Sequence, residues 1–358
     1  MPPFLLNGRF LAQSLSGVQR FAVEITAALG RAWPIGGIGP VLLVPQGAAT
    51  EGAPLPTRVV GRRGGVAWEQ LDLPRATKGS VLINLGNTAP IRGVRQQAIV
   101  IHDAGVFATP EAYSRPFRLW YRGLQRWLVH TDAQIVTVSE FSRREILRYL
   151  GTPRRGIRVI SEGADHMNRV VTDPSVIARH GLIPGRYVLA VGNLAAHKNL
   201  AALGDAALAL DARGASLVIT GRPNAAVFQA TNARLPEPAR YVGRVNDAEL
   251  KALYAAAACF VFPSRYEGFG LPVGEAMACR CPVVASAIPA IVETFADAVL
   301  YCDPNSPADI TRQVCRVFDE PNLAGALRRA GEKQVKSLTW DRAAHLLLEA
   351  IAPLAVLL

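Results

Sequence analysis

Residues 260–285 read FVFPSRYEGFGLPVGEAMACRCPVVA, a stretch in which a strand, a loop, a helix and the next strand follow one another. In the loop, Gly268 and Gly270 allow the backbone to turn sharply and to approach a ligand closely. The amide groups of Phe269, Gly270 and Leu271 then point outward at the start of the helix, where N–H groups and the helix dipole favour an anion. The stretch therefore predicts a phosphate-binding turn.

Two carboxylates flank this turn. Glu267 lies in the loop and Glu275 about one turn into the helix, so both can line one pocket with the phosphate between them. An acidic side chain beside a phosphate site accepts hydrogen bonds from the hydroxyls of a ribose, as it does in dinucleotide sites. The alternative is an exposed loop carboxylate and a first-turn glutamate favoured by the helix dipole. The surrounding Gly-x-Gly-Leu-Pro pattern favours the binding site.

Outside this stretch, apolar runs alternate with amphipathic segments, which is typical of parallel strands joined by crossover helices. A turn at 16–18 opens a helix through about Leu29, and Ser139 caps a helix at Glu140–Leu150. The pattern predicts an α/β fold with two doubly wound sheets, joined by a Gly- and Pro-containing linker at 163–186. Two such Rossmann-like domains are expected to face each other across a cleft. The predicted strands are Val41–Val44, Val81–Asn84, Ala98–His102, Ile135–Val138, Ile157–Ile160, Tyr187–Val191, Ser216–Thr220, Ala239–Val242, Cys259–Phe262, Pro282–Ala285 and Val299–Tyr301.

Length and composition agree with two globular domains, since the chain has 358 residues, 50% of them hydrophobic, and single cores stop growing near ~250–300 residues. The five cysteines show neither a disulfide framework nor the spacing of a structural zinc site. The start of the chain lacks a basic region followed by an apolar one, and no stretch approaches the length of a membrane span. We therefore expect a cytoplasmic protein.

The formal net charge of +11 is concentrated in the first half of the chain. Residues 1–165 hold 20 Lys and Arg against 11 Asp and Glu, whereas residues 166–358 hold 19 against 17. A one-sided basic surface attracts polyanions, phosphorylated small molecules or anionic lipid headgroups. Codon bias towards arginine is the alternative explanation of the total charge, but it does not explain the asymmetry.

The spacing of Glu267 and Glu275 resembles the Glu, seven residues, Glu signature of the family-four retaining glycosyltransferases, which have the GT-B fold. The resemblance covers most of the chain. Its further segments are IHDAGVF at 101–107, VSEFSRREI at 138–146, SEGAD at 161–165, VGNLAAHKNL at 191–200 and YVGRVNDAELKALYAAA at 241–257. It implies an acceptor-side domain at 1–167, a nucleotide-sugar-binding domain at 168–340, and a C-terminal helix at 341–358 that packs back on the first domain.

By the same resemblance, Glu275 holds the nucleotide ribose, Glu267 and the amides of 268–271 hold the sugar, and Lys198 holds the diphosphate. Charge on the departing phosphate would be stabilised by Lys198, Arg222 and the helix N-terminus. The resemblance implies that no metal and no cofactor are needed, since the nucleotide diphosphate sugar is itself a substrate. The absence of an Asp-x-Asp pair from the sequence agrees with this expectation. A phosphate oxygen of the leaving group would take the acceptor proton.

The chain departs from the family pattern at several positions. Many relatives carry Arg where His197 stands and Arg or Thr where Asn193 stands, and Arg222 is expected to compensate. Asn193 and Arg222 are therefore counted with the donor-binding residues. Arg280 stands where a glycine often closes the helix and is expected to adopt a positive φ. Gly274 lies inside the helix, where glycine costs about 1 kcal/mol relative to alanine.

In the first half, Gly17 at a helix start is expected to face the donor phosphate. His102 and Asp103 follow a predicted strand, at the carboxyl edge where doubly wound sheets bind ligands. The resemblance implies that His102 contacts the transferred sugar or the acceptor and that Asp103 orients it, so with Glu267 they form the predicted catalytic set. The alternatives are a tight turn for Gly17, a satisfied strand-end histidine for His102 and a turn cap for Asp103. For Lys198 and Arg222, the alternative is an exposed side chain whose charge is solvated by water.

Residues 113–130 read YSRPFRLWYRGLQRWLVH and predict an amphipathic helix. One stripe is apolar and another is basic, with Trp120 and Trp127 beside them. A basic face next to aromatic residues suits the plane of an anionic membrane, and the alternative is a core-packed helix with a solvated arginine face. The first interpretation implies a lipid-linked acceptor and a peripheral position on the inner face of the membrane. The apolar stripe comprises Phe117, Tyr121, Leu124 and Leu128, and the basic stripe comprises Arg115, Arg118, Arg122 and Arg126.

Other function classes fit less well. The GFGLPVG stretch at 268–274 is a near match to the fingerprint of a nicotinamide-dependent oxidoreductase, but it has one residue too many before the third glycine. No nucleic-acid-binding motif accompanies the basic charge. A GT-B sugar-nucleotide epimerase or an inactive homologue stays open. The resemblance implies transfer of a hexose from a nucleotide diphosphate sugar onto a glycan or lipid-linked glycan of a surface polysaccharide, with mannose from GDP-mannose as the first expectation and a UDP-linked hexose as the second.

Overall fold

The computed structural model of the chain describes residues 4–33, 39–192, 195–221 and 236–356. These residues form two compact units, each built around its own parallel sheet. Within the described residues, no helix combines the length and the apolarity needed to cross a membrane. Unit 1 comprises Met1–Phe107, Arg115–Glu162 and Trp340–Leu358, and unit 2 comprises Ala108–Ser114 and Gly163–Thr339.

In its described part, unit 1 has a seven-stranded parallel sheet in the order β3-β2-β1-β4-β5-β6-β7. The first strand of the chain therefore lies inside the sheet, and the order reverses between β1 and β4. Most of these strands are buried throughout, as is typical of a parallel sheet covered on both faces. The strands are β1 (Phe4–Asn7), β2 (Val41–Val44), β3 (Thr57–Val59), β4 (Val81–Asn84), β5 (Gln96–Val100), β6 (Gln134–Thr137) and β7 (Ile157–Val159).

The described part of unit 2 has a six-stranded parallel sheet in the order β10-β9-β8-β11-β12-β13. Its order reverses between β8 and β11, the same doubly wound arrangement as in unit 1. In such sheets, ligands bind at the carboxyl ends of the strands beside the reversal. The strands are β8 (Tyr187–Val191), β9 (Ser216–Thr220), β10 (Ala239–Gly243), β11 (Cys259–Phe262), β12 (Val283–Ser286) and β13 (Leu300–Cys302).

Helices connect successive strands in both units. Short 3₁₀ turns at Pro110–Ala112 and Ala196–Lys198 and a π turn at Trp68–Asp72 supplement them. The α-helices of the described residues are α1 (Gly17–Ala32), α2 (Gly65–Ala67), α3 (Gly105–Ala108), α4 (Arg115–Val129), α5 (Glu140–Leu150), α6 (His166–Arg169), α7 (Ser175–Arg179), α8 (Gly204–Asp211), α9 (Asp247–Ala256), α10 (Leu271–Ala278), α11 (Pro289–Phe295), α12 (Pro307–Asp319), α13 (Pro321–Val335) and α14 (Trp340–Ala355).

Helix α14 belongs to unit 1 although unit 2 precedes it in the sequence. It packs against α1, where the fully buried ring of Trp340 meets Phe21 edge-on with centroids 5.7 Å apart. At the rim of this contact, Arg31 Nη2 lies 2.6 Å from Asp341 Oδ1. The buried aromatic pair stabilises the helix pair more than the exposed ion pair does, because exposed ion pairs contribute little.

The predicted fold class is confirmed, with two doubly wound sheets. The sequence analysis missed β1, a buried run of only four residues, and β3, a short strand that is largely exposed. The predicted linker at 163–186 is part of unit 2 and contains α6 and α7. It is docked on α9, where Lys251 Nζ donates to the Val170 carbonyl at 2.8 Å.

Candidate functional site

The glycine loop before α10 has the backbone that the sequence predicts. Gly270 is the N-cap residue of α10 and lies in the left-handed region, with a φ of 100°. A Cβ atom at this position would lie 2.3 Å from Cδ1 of Ile291, so both the backbone and the packing require glycine. One turn further, a Cβ atom on Gly274 would lie 3.0 Å from Cβ of Ala164. This close approach explains a glycine inside the helix.

The far end of α10 also follows the expectation. Arg280, just beyond the helix, has a φ of 60° where a glycine would be unstrained. Its Nε atom lies 2.7 Å from Oε1 of Glu332 on α13. This ion pair and the backbone hydrogen bond from the Arg280 amide to the Met277 carbonyl, at 2.9 Å, hold the turn in place.

The amide groups at the start of α10 are available to a ligand. Among the described residues, no acceptor takes the N–H groups of Phe269, Gly270 or Leu271. The side chains of Phe269 and Leu271 are buried, and the Phe269 ring meets Phe295 edge-on with centroids 6.0 Å apart. The loop is therefore anchored from behind, while its N–H groups and the positive end of the helix dipole suit an anion.

Lys198 and Glu267, both predicted from the sequence, contact each other. The Lys198 Nζ atom lies 2.7 Å from Oε1 of Glu267, and both side chains are largely buried. The Lys198 ammonium also lies 5.6 Å from the centroid of the Phe262 ring at the end of β11. A cation from the turn after β8 and a carboxylate from the loop after β11 thus lie together near the N-terminus of α10.

Asn199 fixes the loop that carries Lys198. It adopts the left-handed conformation, with a φ of 57°, which asparagine tolerates better than most residues. Its Nδ2 atom donates to the carbonyls of Pro263 at 3.0 Å and Pro304 at 2.8 Å. The Arg265 amide donates to the carbonyl of His197 at 2.8 Å. These bonds tie the turn after β8 to the loop after β11, at the point where the sheet order reverses.

Glu275 is buried within unit 2 and has a partner that the sequence analysis missed. Its Oε1 atom lies 3.1 Å from Nε2 of His166, a buried residue at the start of α6. The nearby Tyr254 hydroxyl donates to the Pro272 carbonyl at 3.3 Å. Burial, assisted by the negative charge of Glu275, raises the pKa of Tyr254 well above its ordinary value, so this phenol stays a hydrogen-bond donor. The Glu275 carboxylate is therefore held in one orientation without a ligand.

In unit 1, Gly17 begins α1 without a structural need for glycine. Its φ is not positive, and a Cβ atom would meet nothing within 4 Å, so the tight-turn interpretation gains no support. The N-cap residue Ser16 makes no side-chain cap to the helix amides. An exposed glycine of this kind is compatible with close approach of a ligand to the first turn.

His102 and Asp103 are engaged inside unit 1. The buried His102 ring has Nε2 3.0 Å from the Leu85 carbonyl and Nδ1 3.4 Å from Oε1 of Glu162. Asp103 Oδ1 accepts a hydrogen bond from the Gly105 amide at 2.7 Å, which caps the start of α3. Their side chains thus have the contacts of a satisfied histidine and a turn cap, and their predicted roles with the sugar stay predictions.

The structure brings the predicted residues of unit 2 together around α10 and leaves Gly17, His102 and Asp103 in unit 1. Asn193 and Arg222 lie outside the described residues. His166 and Asn199 had no local signal in the sequence, because their contacts join segments that are far apart along the chain. The sequence shows only an asparagine after Lys198, a residue type that tolerates the left-handed conformation, and this does not indicate its contacts.

Two bacterial mannosyltransferases are similar in sequence to this chain. O-antigen chain mannosyltransferase B of Escherichia coli is 32% identical over 252 residues, which cover 67% of this chain and 66% of that protein. O-antigen chain mannosyltransferase RfbU of Salmonella typhimurium is 27% identical over 237 residues, which cover 63% and 64%. The chain therefore matches slightly less than two thirds of the length of these relatives.

Solved structures share the fold at lower identity. Sucrose-phosphate synthase from Thermosynechococcus elongatus has a TM-score of 0.74 at 20% identity, covering 100% of both chains. Anabaena HepE in complex with UDP and glucose has a TM-score of 0.75 at 17% identity, covering 98% of this chain and 100% of that one. Both similarities concern the fold alone, which is GT-B. Residues 180–334 match the family described as glycosyl transferases group 1.

Proposed function

We propose that the protein is a retaining glycosyltransferase that moves a hexose from a nucleotide diphosphate sugar onto a glycan or lipid-linked glycan during surface polysaccharide biosynthesis. The match of residues 180–334 to the glycosyl transferases group 1 family supports transfer from an activated sugar. The names of the two relatives, both O-antigen chain mannosyltransferases, support mannose as the hexose and GDP-mannose as the first donor to test. A UDP-linked hexose is the second candidate, supported by a structural neighbour that contains UDP.

The observation that carries this proposal is the contact of Lys198 with Glu267, 2.7 Å apart, next to the amides of the loop before α10. Cleavage of the bond between sugar and diphosphate leaves negative charge on the departing phosphate. Preorganised cations and N–H groups stabilise such charge where it develops. In this proposal Lys198 and the amides serve the diphosphate, Glu267 accepts hydrogen bonds from the sugar, and Glu275 accepts them from the ribose. Neither a metal nor a cofactor takes part.

Nucleotide binding is the first test. Thermal unfolding is measured with UDP, GDP, ADP and dTDP for the wild type, for Glu275→Ala and for Glu349→Ala, whose glutamate is exposed on α14. One diphosphate should raise the Tm of the wild type and of Glu349→Ala, because a ligand that binds only the folded state stabilises it. Glu275→Ala should lose most of this shift. If no nucleotide raises the Tm of the wild type, the proposed function is wrong. If Glu275→Ala responds like the wild type, the assignment of the ribose to Glu275 is wrong.

Turnover separates a transferase from an epimerase or an inactive homologue. The purified protein is incubated with GDP-mannose or UDP-glucose, and the products are followed by NMR. A transferase releases the nucleoside diphosphate and gives an anomeric configuration like that of the donor. An epimerase instead changes the sugar of the donor while the diphosphate stays attached. No reaction with either donor, in the presence of candidate glycans, would favour an inactive homologue.

Helix α4 supports a peripheral position on an anionic membrane. Leu119 is 73% exposed, and Trp127 and Phe117 are about two fifths exposed on the same helix. A recess of about 670 Å³, lined in part by Trp127, Arg126 and Arg154, places positive charge next to one of these apolar groups. Apolar side chains flanked by arginines suit the interface of an anionic bilayer. We include this surface in the proposal because it would bring the enzyme to a lipid-linked acceptor.

Vesicle binding tests this part of the proposal. The wild type should co-sediment with vesicles that contain phosphatidylglycerol and much less with pure phosphatidylcholine, because the attraction is largely electrostatic. Leu119→Glu should weaken this binding. Leu208→Glu is the matched control, since Leu208 is 58% exposed on α8 of unit 2. Equal binding of both vesicle types, or equal loss in both variants, would contradict a role for α4.

A further inference from the structure

A second cluster of polar side chains lies at the carboxyl edge of the sheet in unit 1. Asn7 ends β1 and Asn84 ends β4, and the order of the sheet reverses between these neighbouring strands. Asn7 Nδ2 donates to Asn84 Oδ1 at 3.0 Å. Doubly wound sheets bind their ligands at this point. We refer to Asn7, Arg9, Glu69, Asn84 and Thr88 as the polar cluster of unit 1.

A buried ion pair forms the centre of the polar cluster. Glu69 is 1% exposed, and its Oε1 atom accepts hydrogen bonds from Asn7 Nδ2 and Thr88 Oγ1, each at 2.9 Å. Its Oε2 atom accepts a hydrogen bond from Arg9 Nη1 at 2.9 Å. Both carboxylate oxygens are therefore occupied, and burial of this charge is compensated by its partners. Glu69 thus holds Arg9 in position.

Two polar groups beside this ion pair lack a protein partner. The Nε atom of Arg9 is buried and finds no acceptor among the described residues. The hydroxyl of Tyr121 on α4 also makes no hydrogen bond to any residue that the structure describes. Burial is the main cause of the raised pKa of Tyr121, and the charges of Arg9 and Glu69 also act on it, which agrees with a position of the phenol beside the ion pair. A buried donor without an acceptor, such as Arg9 Nε, is destabilising, and such a group in a native structure requires an explanation; a ligand that accepts from this N–H would supply one.

The charge of the polar cluster indicates the chemical class of that ligand. Glu69 already compensates the positive charge of Arg9, so a phosphate would be repelled by the carboxylate as well as attracted by the guanidinium. A neutral ligand with hydroxyl groups avoids this conflict and meets both the N–H of Arg9 and the hydroxyl of Tyr121. The Tyr121 ring stacks on Phe117 with centroids 4.0 Å apart. Both residues belong to α4, the helix that carries the exposed apolar side chains proposed to contact the membrane.

We propose that Arg9 and Tyr121 bind hydroxyl groups of the acceptor sugar, with Glu69 as the residue that positions Arg9. This inference rests on the proposed glycosyltransferase function, because it assigns the second substrate of that reaction. The donor keeps its own residues in unit 2. A lipid-linked acceptor would place its sugar at Arg9 and Tyr121 while its lipid portion remains in the bilayer near Leu119.

Binding of methyl glycosides tests the inference. Saturation-transfer NMR with millimolar methyl glycosides of mannose, glucose, galactose, rhamnose and N-acetylglucosamine is recorded for wild type, Tyr121→Phe and Arg9→Lys. Arg9→Lys keeps the charge opposite Glu69 but removes the Nε donor. The loss of one hydrogen bond worth about 1 kcal/mol should weaken binding roughly fivefold in each variant. Tyr149→Phe is the matched control, since Tyr149 is a half-buried tyrosine on helix α5 of unit 1, and it should bind like the wild type.

The nucleotide-induced Tm shift is measured on the same variants. It should equal that of the wild type, because the polar cluster does not belong to the donor site; a general loss of structure would reduce it. No binding of any methyl glycoside by the wild type, or binding that is unchanged in both Tyr121→Phe and Arg9→Lys, overturns the inference. Failure of every nucleotide to stabilise the wild type would instead overturn the proposed function, so the two failures are distinguishable.

Discussion

At the scale of single residues, the ion pair of Lys198 and Glu267 is the most informative contact of unit 2. Its atoms lie 2.7 Å apart and its side chains are 19% and 13% exposed. A lysine kept in this position without a ligand loses little side-chain entropy when a phosphate binds, which is the benefit of preorganisation. Glu267 thus has two functions in the proposal, since it orients Lys198 and accepts hydrogen bonds from the sugar.

Replacement of Lys198 tests the electrostatic part of the mechanism. Lys198→Ala should lower kcat about 10²–10³-fold, the usual effect of removing one donor to a developing negative charge. Lys336→Ala removes an exposed lysine of unit 2 and should leave kcat unchanged. Steady-state rates with the donor identified by thermal shift provide the measurement. A decrease of less than threefold in Lys198→Ala would show that this cation does not stabilise the leaving group.

His166 is expected to position the ribose-binding carboxylate. His166→Ala should weaken nucleotide binding by about a factor of ten, because Glu275 loses a hydrogen bond that fixes its orientation. His166→Gln keeps an N–H donor and should restore part of the affinity. Isothermal titration with the stabilising diphosphate measures both effects. Affinity equal to wild type in His166→Ala would mean that Glu275 needs no positioning partner.

At the scale of secondary-structure elements, α10 depends on the backbone at its first residue. Gly270→Ala should destabilise unit 2 by about 1–3 kcal/mol from the positive φ alone, and the Cβ contact 2.3 Å from Ile291 adds to this loss. Gly204→Ala is the matched control, because its φ is ordinary and a Cβ there meets nothing within 4 Å. Urea unfolding of both variants measures the difference. Equal free energies of unfolding would contradict the conformation assigned to Gly270.

Helix α9 illustrates how local capping and a distant ion pair combine. The Asn246 side chain accepts from the Glu249 amide, and Glu249 Oε2 accepts from the Asn246 amide at 2.9 Å. Glu249 Oε1 also lies 2.5 Å from Arg179 Nη1 on α7. The Arg179 side chain, followed by the Asn246 amide, lowers the pKa of Glu249 below its ordinary value of 4.5.

The sign of this pKa shift predicts a pH dependence. Because the folded-state pKa of Glu249 is lowered, its stabilising contribution is present above pH 4.5 and is lost as the pH falls through the folded-state value. Glu249→Gln keeps the capping box but loses the charge opposite Arg179, so it should destabilise the protein by about 0.5 kcal/mol at pH 7, and this difference should vanish at lower pH. Thermal unfolding of wild type and variant across the acid range measures it. A difference that is constant with pH would assign the effect to packing.

At the scale of the whole molecule, each unit repeats the same design, a doubly wound parallel sheet with polar residues at the carboxyl edge beside the reversal of strand order. In unit 2 these residues are cationic and acidic groups next to amides whose N–H groups have no acceptor among the described residues, and this combination suits a nucleotide diphosphate sugar. In unit 1 they form a charge-compensated cluster, which suits hydroxyl groups. The last helix in the sequence, α14, belongs to unit 1 and packs on α1.

The proposed role of the positive groups in unit 2 predicts how the rate of sugar transfer responds to chelators. Since Lys198 and the amides before α10 provide the positive charge for the departing phosphate, removal of divalent cations should leave the rate of sugar transfer unchanged. The measurement is the initial rate before and after treatment with EDTA, with added Mg²⁺ as the control. A loss of activity that Mg²⁺ restores would contradict a metal-independent mechanism.

The amino-acid sequence by itself determined the turn before α10 and most of the strands. A Gly-x-Gly-Leu-Pro run has few backbone solutions, and Gly270 turns the chain there with a positive φ. Arg280, at the position where a glycine often closes the helix, has the positive φ that was expected. Continuous apolar runs identify buried parallel strands for a similar local reason. The strands at Tyr187–Val191 and Ser216–Thr220 were therefore predicted with their observed bounds, whereas the short edge strand Thr57–Val59 carried no such run.

Only the tertiary structure decided which polar groups meet. Lys198 and Glu267 are 69 positions apart, His166 and Glu275 are 109 apart, and Arg9 and Glu69 are 60 apart. Such contacts depend on the order of strands in a sheet and on the path of the loops between them, and no periodicity along the chain encodes either one. The same long-range packing engaged the ring nitrogens of His102 within unit 1.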